Sequence, residues 1–352
     1  MGPSELPLEI VEMIIASIPQ DEETVAFEQS SSVTRTLFSC LTLCKATIAR
    51  TQRLLYQRCL YIDSPERLRS LTNSYARSTS FGLTTDSKIK ASTALYLEPF
   101  ADHADWKPHD DAESYDDFEV PIVDERQAQT VGNDVQELFT VLSQSLARLV
   151  IKMPLRNLMP EGDNTLPISA TLHHAFEQLK VIEEFTSTLD ELYLNTSVVH
   201  DPPVWREWRF LRRLALYNVV ADADFFQDLR QLPLLQTVVL TRLDRDEDSH
   251  LGDLAKTLQP TASVVLVNTY RDHFFTPAGP PSQDEVQILA NRMNRAPEDS
   301  SDASVQYGAL KVVCVGAFGV SAKGDDDIEI CQTWIRDEAL CGTLWETPNA
   351  IG

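Results

Sequence analysis

Two segments of this chain decide its fold, Leu211-Arg212-Arg213-Leu214-Ala215-Leu216 and Leu235-Gln236-Thr237-Val238-Val239-Leu240. Each segment has apolar residues at its first, fourth and sixth positions. Because alternate residues of a β-strand point to the same face, the fourth and sixth positions predict a short strand with one buried face. Two such segments in succession predict a sheet that is built from a repeated unit.

The same spacing occurs elsewhere in the chain. From Leu192 to Leu214, Val238 and Val265 the steps are 22, 24 and 27 residues, which is the period of a strand followed by a helix. Further copies are Leu146–Ile151, Leu189–Leu194, Ala262–Val267 and Tyr307–Val312, with Leu95 and Leu97 as a shorter one. The intervals predict helices over Val135–Leu146, Leu172–Ile182, Asp224–Leu232, Leu251–Leu258 and Asp284–Met293.

The N-terminal residues Glu5–Ile62 predict a separate helical unit. Pro7 suits the first turn of a helix, where its missing N–H is not needed, and Pro19 ends that helix. Ile10, Ile14 and Ile18 recur at a spacing of four residues and predict one apolar face, with Val11 and Ile15 beside it.

Two more helices are predicted in this unit. Thr36–Ile48 carries Leu37, Leu41, Cys44 and Ile48 on one face, and Arg50–Cys59 forms a third, shorter helix. Three helices of this length cannot bury all of their apolar surface among themselves, so part of it is expected to contact a partner or the next domain.

The order of three N-terminal elements resembles an F-box, particularly the fungal form. These elements are Leu6-Pro7-Leu8-Glu9-Ile10, Cys40-Leu41-Thr42-Leu43-Cys44-Lys45 and Leu54-Leu55-Tyr56-Gln57-Arg58-Cys59-Leu60-Tyr61-Ile62. The resemblance implies docking on the Skp adaptor and, through it, on a cullin scaffold. The implied adaptor-binding residues are Leu6, Pro7, Ile10, Ile14, Leu41, Cys44 and Leu55. The alternative is a helical start to an ordinary globular domain.

The repeated segments resemble irregular leucine-rich repeats, which often follow an F-box, although an ordinary α/β domain is an alternative. Asn195 and Asn218 lie near the asparagine position of that repeat. The chain is therefore expected to be α/β, with an N-terminal three-helix F-box-like module followed by an irregular leucine-rich-repeat-like solenoid of alternating short parallel strands and helices.

The expected division has four parts. Residues 1–62 form the module, and residues 63–97 form a connecting helix, with Ser64 as its N-cap, and the first strand. Residues 98–130 form an acidic flexible loop, and residues 131–352 form the repeat-like domain. A final helix over Ile328–Leu340, entered from a turn at Gly316–Gly324, is expected to cap the open end of the solenoid.

Charge is distributed unevenly along the chain. The net charge of −23 argues against nucleic-acid binding. The interval from Arg35 to Lys90 nevertheless has ten basic and three acidic residues, which indicates either solvated helix faces or a docking face for an acidic protein. Glu98–Glu125 has eleven acidic residues and one lysine. It indicates a flexible loop, with a lure for a basic partner or a calcium site as alternatives, although it lacks the glycine that a calcium loop needs.

No motif for chemistry is found, so the protein is expected not to be an enzyme and to need no cofactor or metal. Gly-x-Ser-x-Gly is absent, and Cys40 and Cys44 lack further zinc ligands. The six cysteines are expected to be buried thiols. No apolar run approaches the roughly 20 residues of a membrane helix, and no signal sequence is present, so a cytosolic or nuclear location without membrane partners is expected.

One surface-like cluster follows the repeat at Leu194. Trp205, Arg206, Trp208 and Arg209 combine the residue types that dominate binding hot spots, and they are the candidate target-binding residues. The alternative is a helix that packs a tryptophan inward. The expected function is recruitment of an unidentified protein target to a ubiquitin ligase; a repeat scaffold outside any ligase and an enzyme on an α/β fold are the alternatives.

Overall fold

The computed structural model describes residues 7–19, 24–80, 93–100, 125–158, 167–192, 194, 202–242, 258, 262–269, 310–315 and 327–346. Within these residues the chain is α/β, with one parallel sheet and eight α-helices. The strands are β1 (Leu60–Ile62), β2 (Thr93–Leu97), β3 (Leu146–Ile151), β4 (Glu184–Ser187), β5 (Arg213–Tyr217), β6 (Thr237–Thr241), β7 (Ser263–Thr269) and β8 (Leu310–Val315). The helices are α1 (Leu8–Ala16), α2 (Ser32–Leu41), α3 (Lys45–Arg58), α4 (Pro65–Ser80), α5 (Glu125–Leu142), α6 (Pro167–Glu177), α7 (Ala223–Leu229) and α8 (Asp327–Cys341).

The sheet follows the order of the chain. Each strand pairs in parallel with the next, from β1 at one edge to β8 at the other among the described residues. Leu95 pairs with Leu149, which pairs with Phe185, and the same row continues through Leu214, Val238 and Val264. This sequential parallel order confirms the alternation of strands and helices that the spacing predicts.

One face of the sheet, the back face, carries the larger core. Alternate strand residues of this face, including Leu97, Leu149, Phe185 and Leu214, pack against α4, α5, α6 and α7 in one continuous apolar cluster. Phe176 of α6 lies at its centre, with its ring 5.1 Å from that of Phe139 and 6.3 Å from that of Phe185. The back face therefore carries the main hydrophobic core of the sheet.

The turns after β5 and β6 share a conformation. Asn218 and Arg242 directly follow the paired residues Tyr217 and Thr241, and both have a positive φ, 54° and 48°. Each donates its N–H to the next strand, Asn218 to the Thr241 carbonyl at 2.7 Å and Arg242 to the Val267 carbonyl at 3.0 Å. Asparagine tolerates this left-handed conformation better than other non-glycine residues, which explains Asn218 at this position.

The strand predicted over Leu189–Leu194 is wrong. β4 lies earlier, at Glu184–Ser187, where Phe185 pairs with its neighbours on both sides, and Leu192 has a φ of 53°. Leu192 and Leu194 are nevertheless buried in the back-face cluster. The apolar spacing therefore predicted correctly that Leu192 and Leu194 are buried. Which residues pair as a strand is decided by their register with the adjacent strands.

Several other helix boundaries differ from the prediction. The helix expected over 36–48 is two helices, because the chain turns at 42–44 between α2 and α3. Those expected over 135–146 and 172–182 begin earlier, as α5 and α6, while α7 confirms the helix near 224–232. Ser64 accepts from the Arg67 N–H at 3.3 Å and caps α4 as predicted. The helices expected over 251–258 and 284–293 and the turn at 316–324 lie outside the described residues, apart from Leu258.

The opposite face of the sheet, the front face, is covered by α8. Ala94, Val150, Ala215, Val239 and Val265 form a second apolar cluster with Ile335, Ala339 and Leu344. The expectation that the final helix caps the end of a solenoid is therefore wrong. These strands carry apolar residues on both faces, and a parallel sheet of that composition needs a covering layer on each face.

A single side chain tests the importance of the back-face core. Phe185→Ala should lower the free energy of unfolding by about 3–5 kcal/mol, because the ring is buried against Phe176 and Trp208 and its removal leaves a cavity. Phe210→Ala is the matched control: Phe210 is 51% exposed, and its loss should change stability by no more than about 0.5 kcal/mol. Urea unfolding followed by circular dichroism measures both. Equal effects of the two substitutions would contradict the assignment of the core.

Candidate protein-interaction surfaces

Helix α1 divides its apolar residues between two sides. Ile15 is buried, and Val11 and Ile18 pack partly beside it, against Leu37, Cys40 and Leu54. Ile10, Met13 and Ile14 point away from this small core, and Met13 is 67% exposed. The single apolar face that the spacing predicted is therefore two faces, one turned to α2 and α3 and one turned to solvent.

The N-terminal unit exposes more large apolar residues than the rest of the described chain does. Of the nine large hydrophobic residues that are exposed in the described part of the chain, six lie in this unit. We call these six residues the α1–α2 surface: Leu8, Ile10, Met13, Ile14, Phe38 and Leu43. Large apolar residues that are left exposed together in one unit of a folded protein are candidates for an interaction site.

The residues that the F-box resemblance implied are placed unevenly. Pro7, Ile10, Ile14 and Cys44 are exposed, whereas Leu41 and Leu55 are half-buried within the unit. Leu6 lies outside the described residues. The resemblance did not single out Met13, Phe38 and Leu43; their exposed positions on α1, on α2 and in the turn before α3 became visible only in the structure.

Thr47 holds the turn between α2 and α3. Its side chain is buried, and its hydroxyl lies 2.8 Å from both the Cys40 and the Cys44 carbonyl oxygens, to which it can donate. A buried hydroxyl that bonds to the end of one helix and the start of the next fixes the angle between them. Thr47 therefore fixes the orientation of α2 relative to α3.

Cys44 is exposed at the N-cap of α3. The Thr47 backbone N–H is the first cause that lowers the pKa of the Cys44 thiol, and the Thr47 side chain, whose oxygen is 3.9 Å from the Cys44 sulfur, and the Ala46 N–H add to it. Among the other cysteines with described side chains, Cys40 and Cys331 are buried, Cys59 is half-buried and Cys341 is exposed. The expectation that all six thiols are buried is wrong.

The long link between α1 and α2 has a structural role that its sequence did not predict. Val25 and Ala26 are buried in the front-face cluster. The Val25 N–H donates to the Leu340 carbonyl of α8 at 2.7 Å, and the Phe27 N–H donates to the Arg58 carbonyl at the same distance. The link therefore joins the N-terminal unit to the C-terminal helix.

The tryptophan cluster is part of the core. Trp205 and Trp208 are both buried, and the Trp208 indole donates to the Phe176 carbonyl at 3.3 Å. The alternative of inward packing is therefore the one that the structure supports, and neither indole is available to a partner. Arg206 is paired with Asp228 at 3.3 Å, whereas Arg209 is exposed.

A row of charged side chains crosses the front face. Arg148, Glu184 and Arg213 occupy the same register on β3, β4 and β5, and Arg213 lies 2.9 Å from the Glu184 carboxylate. Burial is the first cause that lowers the pKa of Arg148, which the Glu184 carboxylate partly offsets. Trp345, just after α8, covers this row with its ring 6.0 Å from the Arg213 guanidinium.

No set of side chains in the described ranges has the composition of a metal site. His173 and His174 both approach Glu177, at 3.5 and 3.6 Å, and His173 is also 2.9 Å from the Leu194 carbonyl. Nor is any helix in the described ranges long and apolar enough to cross a membrane. The acidic interval at 101–124 lies outside the described residues.

Comparisons of the chain with protein-family models, with curated proteins and with solved structures find no match. The assignment of function therefore depends on the surfaces described above.

The role of Thr47 is tested by replacing its hydroxyl group with a methyl group. Thr47→Val should lower the free energy of unfolding by about 1 kcal/mol, because it removes the hydrogen bond that the buried hydroxyl donates between the end of α2 and the start of α3. Thr36→Val is the matched control, since the Thr36 hydroxyl donates to the Ser32 carbonyl at 2.7 Å on an exposed part of α2. Chemical denaturation should show little effect of the control. A control as damaging as Thr47→Val would argue against a special role for the buried hydroxyl.

The reactivity of Cys44 follows from its hydrogen bonds. Because the folded pKa is lowered, the reactive thiolate should form at a lower pH than for an ordinary cysteine. Alkylation by iodoacetamide, followed at Cys44 by mass spectrometry across a pH series, should have a midpoint below the usual thiol value. The midpoint should rise in Thr47→Val, which removes the hydroxyl beside the Cys44 sulfur. An unchanged midpoint in that variant would exclude the hydroxyl as a cause.

Proposed function

We propose that this protein recruits substrates to a cullin-RING ubiquitin ligase. Its N-terminal unit, α1–α3, docks on the Skp adaptor as an F-box, and its leucine-rich-repeat-like sheet domain binds the protein target. The α1–α2 surface is the observation that carries this proposal, because it leaves Ile10, Met13 and Ile14 exposed on one side of a helix whose other side is packed.

The exposed side of α1 has the form of a helix that docks on a partner. Residues 10, 13 and 14 are spaced so that their side chains meet on one stripe. Burying each such side chain in an interface contributes roughly 1.5–3 kcal/mol, so a few of them are enough to anchor a complex. The resemblance of Leu6–Ile10, Cys40–Lys45 and Leu54–Ile62 to an F-box supports the Skp adaptor as the proposed partner.

The placement of the unit suits an adaptor-docking role. α3 contacts β1 and β2 at one edge of the sheet, and Tyr56 of α3 packs on Tyr75 of α4 with ring centroids 5.5 Å apart. The α1–α2 surface belongs to helices that do not form the sheet core. An adaptor bound there and a target bound to the sheet domain would use separate parts of the molecule.

In the proposed role the protein itself catalyses no reaction, because other subunits of the ligase transfer ubiquitin. A scaffold outside any ligase is the rival, and it shares the repeat domain but requires no adaptor. The two are distinguished by the partner of the α1–α2 surface.

The docking assignment predicts that two negative charges placed on α1 weaken adaptor binding. Ile10→Asp combined with Ile14→Asp should weaken binding to the Skp adaptor at least about 100-fold, because both positions would be buried in the complex as unpaired carboxylates. Since both side chains are exposed in the free protein, circular dichroism and the melting temperature should be unchanged. Affinity is measured by calorimetry with purified adaptor.

The matched control is Val220→Asp with Phe210→Asp, two equally exposed apolar positions in the repeat domain. This control should retain the affinity of the wild type for the adaptor. Adaptor binding that survives the α1 substitutions would refute the docking assignment. A wild-type chain that does not bind the adaptor would leave the scaffold as the function.

A further inference from the structure

The turns that lead into β5 and β6 are built alike. In each turn the N–H of a leucine donates to the carbonyl three residues before it, at 3.0 Å before β5 and at 3.4 Å before β6. These leucines, Leu211 and Leu235, are buried in the back-face core. The residue before each leucine is also apolar but is exposed, Phe210 by 51% and Leu234 by 39%. Two equivalent turns therefore each leave one large apolar side chain in water.

Hydrogen bonds between the strands set these turns side by side. The Arg212 carbonyl accepts from the N–H groups of Gln236 and Thr237, at 2.7 and 3.1 Å. The Glu183 carbonyl accepts from Arg212 and Arg213 in the same way, at 2.8 and 3.1 Å. Glu183, Arg212 and Gln236 are therefore equivalent positions of neighbouring strands, which lie about 4.8 Å apart in a sheet.

An apolar residue stands two positions before each of these three. Val181 before β4 is half-buried, whereas Phe210 and Leu234 are exposed. We call these three residues the amino-end row, because they lie where the strands begin. The third large hydrophobic residue that is exposed in the described part of the sheet domain, Val220, follows β5 at the opposite end. Exposed apolar side chains that are concentrated in one place are candidates for an interaction site.

The two turns are also rich in arginine. Residues 206–212 and 230–236 contain four arginines and a single carboxylate, Glu207. The whole chain has a net charge of −23, so the turns reverse its average balance. After β5 the balance is acidic, because residues 218–224 contain two aspartates and no basic residue. The basic charge therefore belongs to the end of the sheet that carries the amino-end row.

Arg206 has a structural role among these arginines. Its guanidinium lies 3.3 Å from the Asp228 carboxylate and donates to the Gln231 side chain at 3.0 Å, and so joins the first turn to the second. The two tryptophans that the sequence predicted for target binding are buried, and Arg206 is engaged in these contacts. Of the four predicted residues, Arg209 is therefore the one that remains available to a partner.

Three arginines of the turns are accessible. Arg209 and Arg230 are exposed, and neither forms an ion pair with the part of the chain that the structure describes. Arg212 lies 3.9 Å from Glu183, with 48% and 52% of the two side chains exposed. An exposed pair at this distance contributes little, so the Arg212 guanidinium can pair with another carboxylate. Aromatic residues and arginine are the residue types enriched at binding hot spots.

From these observations we infer that the amino-end row and its arginines bind the protein target, and that the target presents an acidic segment with a large apolar side chain among its carboxylates. Phe210 and Leu234 contact that apolar side chain, and the three accessible arginines pair with the carboxylates. This inference rests on the proposed function, because that function assigns target binding to the sheet domain.

The chemistry of the surface favours a peptide over a nucleic acid. A nucleic acid carries a phosphate at every nucleotide, and a chain with a net charge of −23 repels such a polyanion. A short peptide has few charges and can place them at the arginines alone. Leu234 has no ring on which a base could stack, but it packs well against an aliphatic or aromatic side chain.

The experiment begins with a random 12-residue peptide library displayed on phage and the full wild-type chain as bait. The variant Phe210→Asp with Leu234→Asp, which replaces both exposed apolar side chains, is used for counter-selection. We expect enriched peptides in which at least two acidic residues flank a leucine, a phenylalanine or another large apolar residue.

The most enriched peptide is then labelled with a fluorophore and titrated with variants of the full chain. Phe210→Asp with Leu234→Asp should weaken binding at least about 100-fold, because it replaces the apolar contact with carboxylates that repel the peptide. Arg209→Glu with Arg230→Glu should weaken binding at least about tenfold. Raising the salt concentration from about 0.1 M to about 1 M should weaken wild-type binding, since exposed charges are screened.

Each pair of substitutions has a matched control. Val220→Asp changes an apolar residue that is 47% exposed at the opposite end of the sheet. Arg35→Glu with Lys45→Glu makes the same change in net charge at two exposed positions of the N-terminal unit. Both controls should bind the peptide as tightly as the wild type does. Because all of the substituted side chains are exposed, circular dichroism spectra should match that of the wild type.

Four results would overturn the inference. The first is a selection that enriches no peptide above an unrelated bait protein, and the second is enrichment of peptides without acidic residues. The third is equal binding by the Phe210/Leu234 variant and by Val220→Asp. The fourth is a 12-nucleotide single-stranded RNA that competes with the peptide and binds more tightly.

Adaptor binding separates this inference from the proposed function. If the wild-type chain binds the Skp adaptor but the peptide experiment fails, only the amino-end row is wrong as the target site. If the peptide experiment succeeds while the wild-type chain does not bind the adaptor, the acidic-peptide site is correct and the ligase assignment is wrong.

Discussion

The parallel sheet must be buried on both faces, and most of this structure follows from that requirement. Its strands present leucine and phenylalanine to the back and valine and alanine to the front, so neither side can be left to water. Helices α4 to α7, which alternate with the strands along the chain, cover the back face. They cannot also cover the front face, because all of them lie on the back. The front face is covered by α8 and Leu344, together with Val25 and Ala26 of the N-terminal link.

The front-face layer brings the two ends of the chain together. Val25 belongs to the link between α1 and α2, and its N–H bonds to Leu340 at the end of α8. The N-terminal unit thereby contacts α8 as well as the edge of the sheet.

Burial decides which distinctive residues are available for function. Trp205 and Trp208 have the composition of a binding hot spot, yet both are buried. The Trp208 ring lies 5.1 Å from Phe185 of the sheet, and the Trp205 ring lies 5.8 Å from Phe225 of α7. Large aromatic side chains supply more buried area than any others, so composition alone does not separate a core position from an interface. Met13 and Leu43 show the opposite case, because residues typical of a core are left exposed on the N-terminal unit.

The sequence by itself determined the α/β class, the strands β2, β3, β5, β6 and β7, and the presence of helices at α1, α2 and α3, because these depend on local periodicity and on proline and capping positions. The capping residue Ser64 and the strand pair Leu95 and Leu97 are examples. Only the tertiary structure decided where β4 lies, which side of α1 is free, and that the last helix covers the front face instead of an end. Each of these depends on register or packing between residues far apart in the chain, and periodicity reports that a side chain is buried without reporting against what.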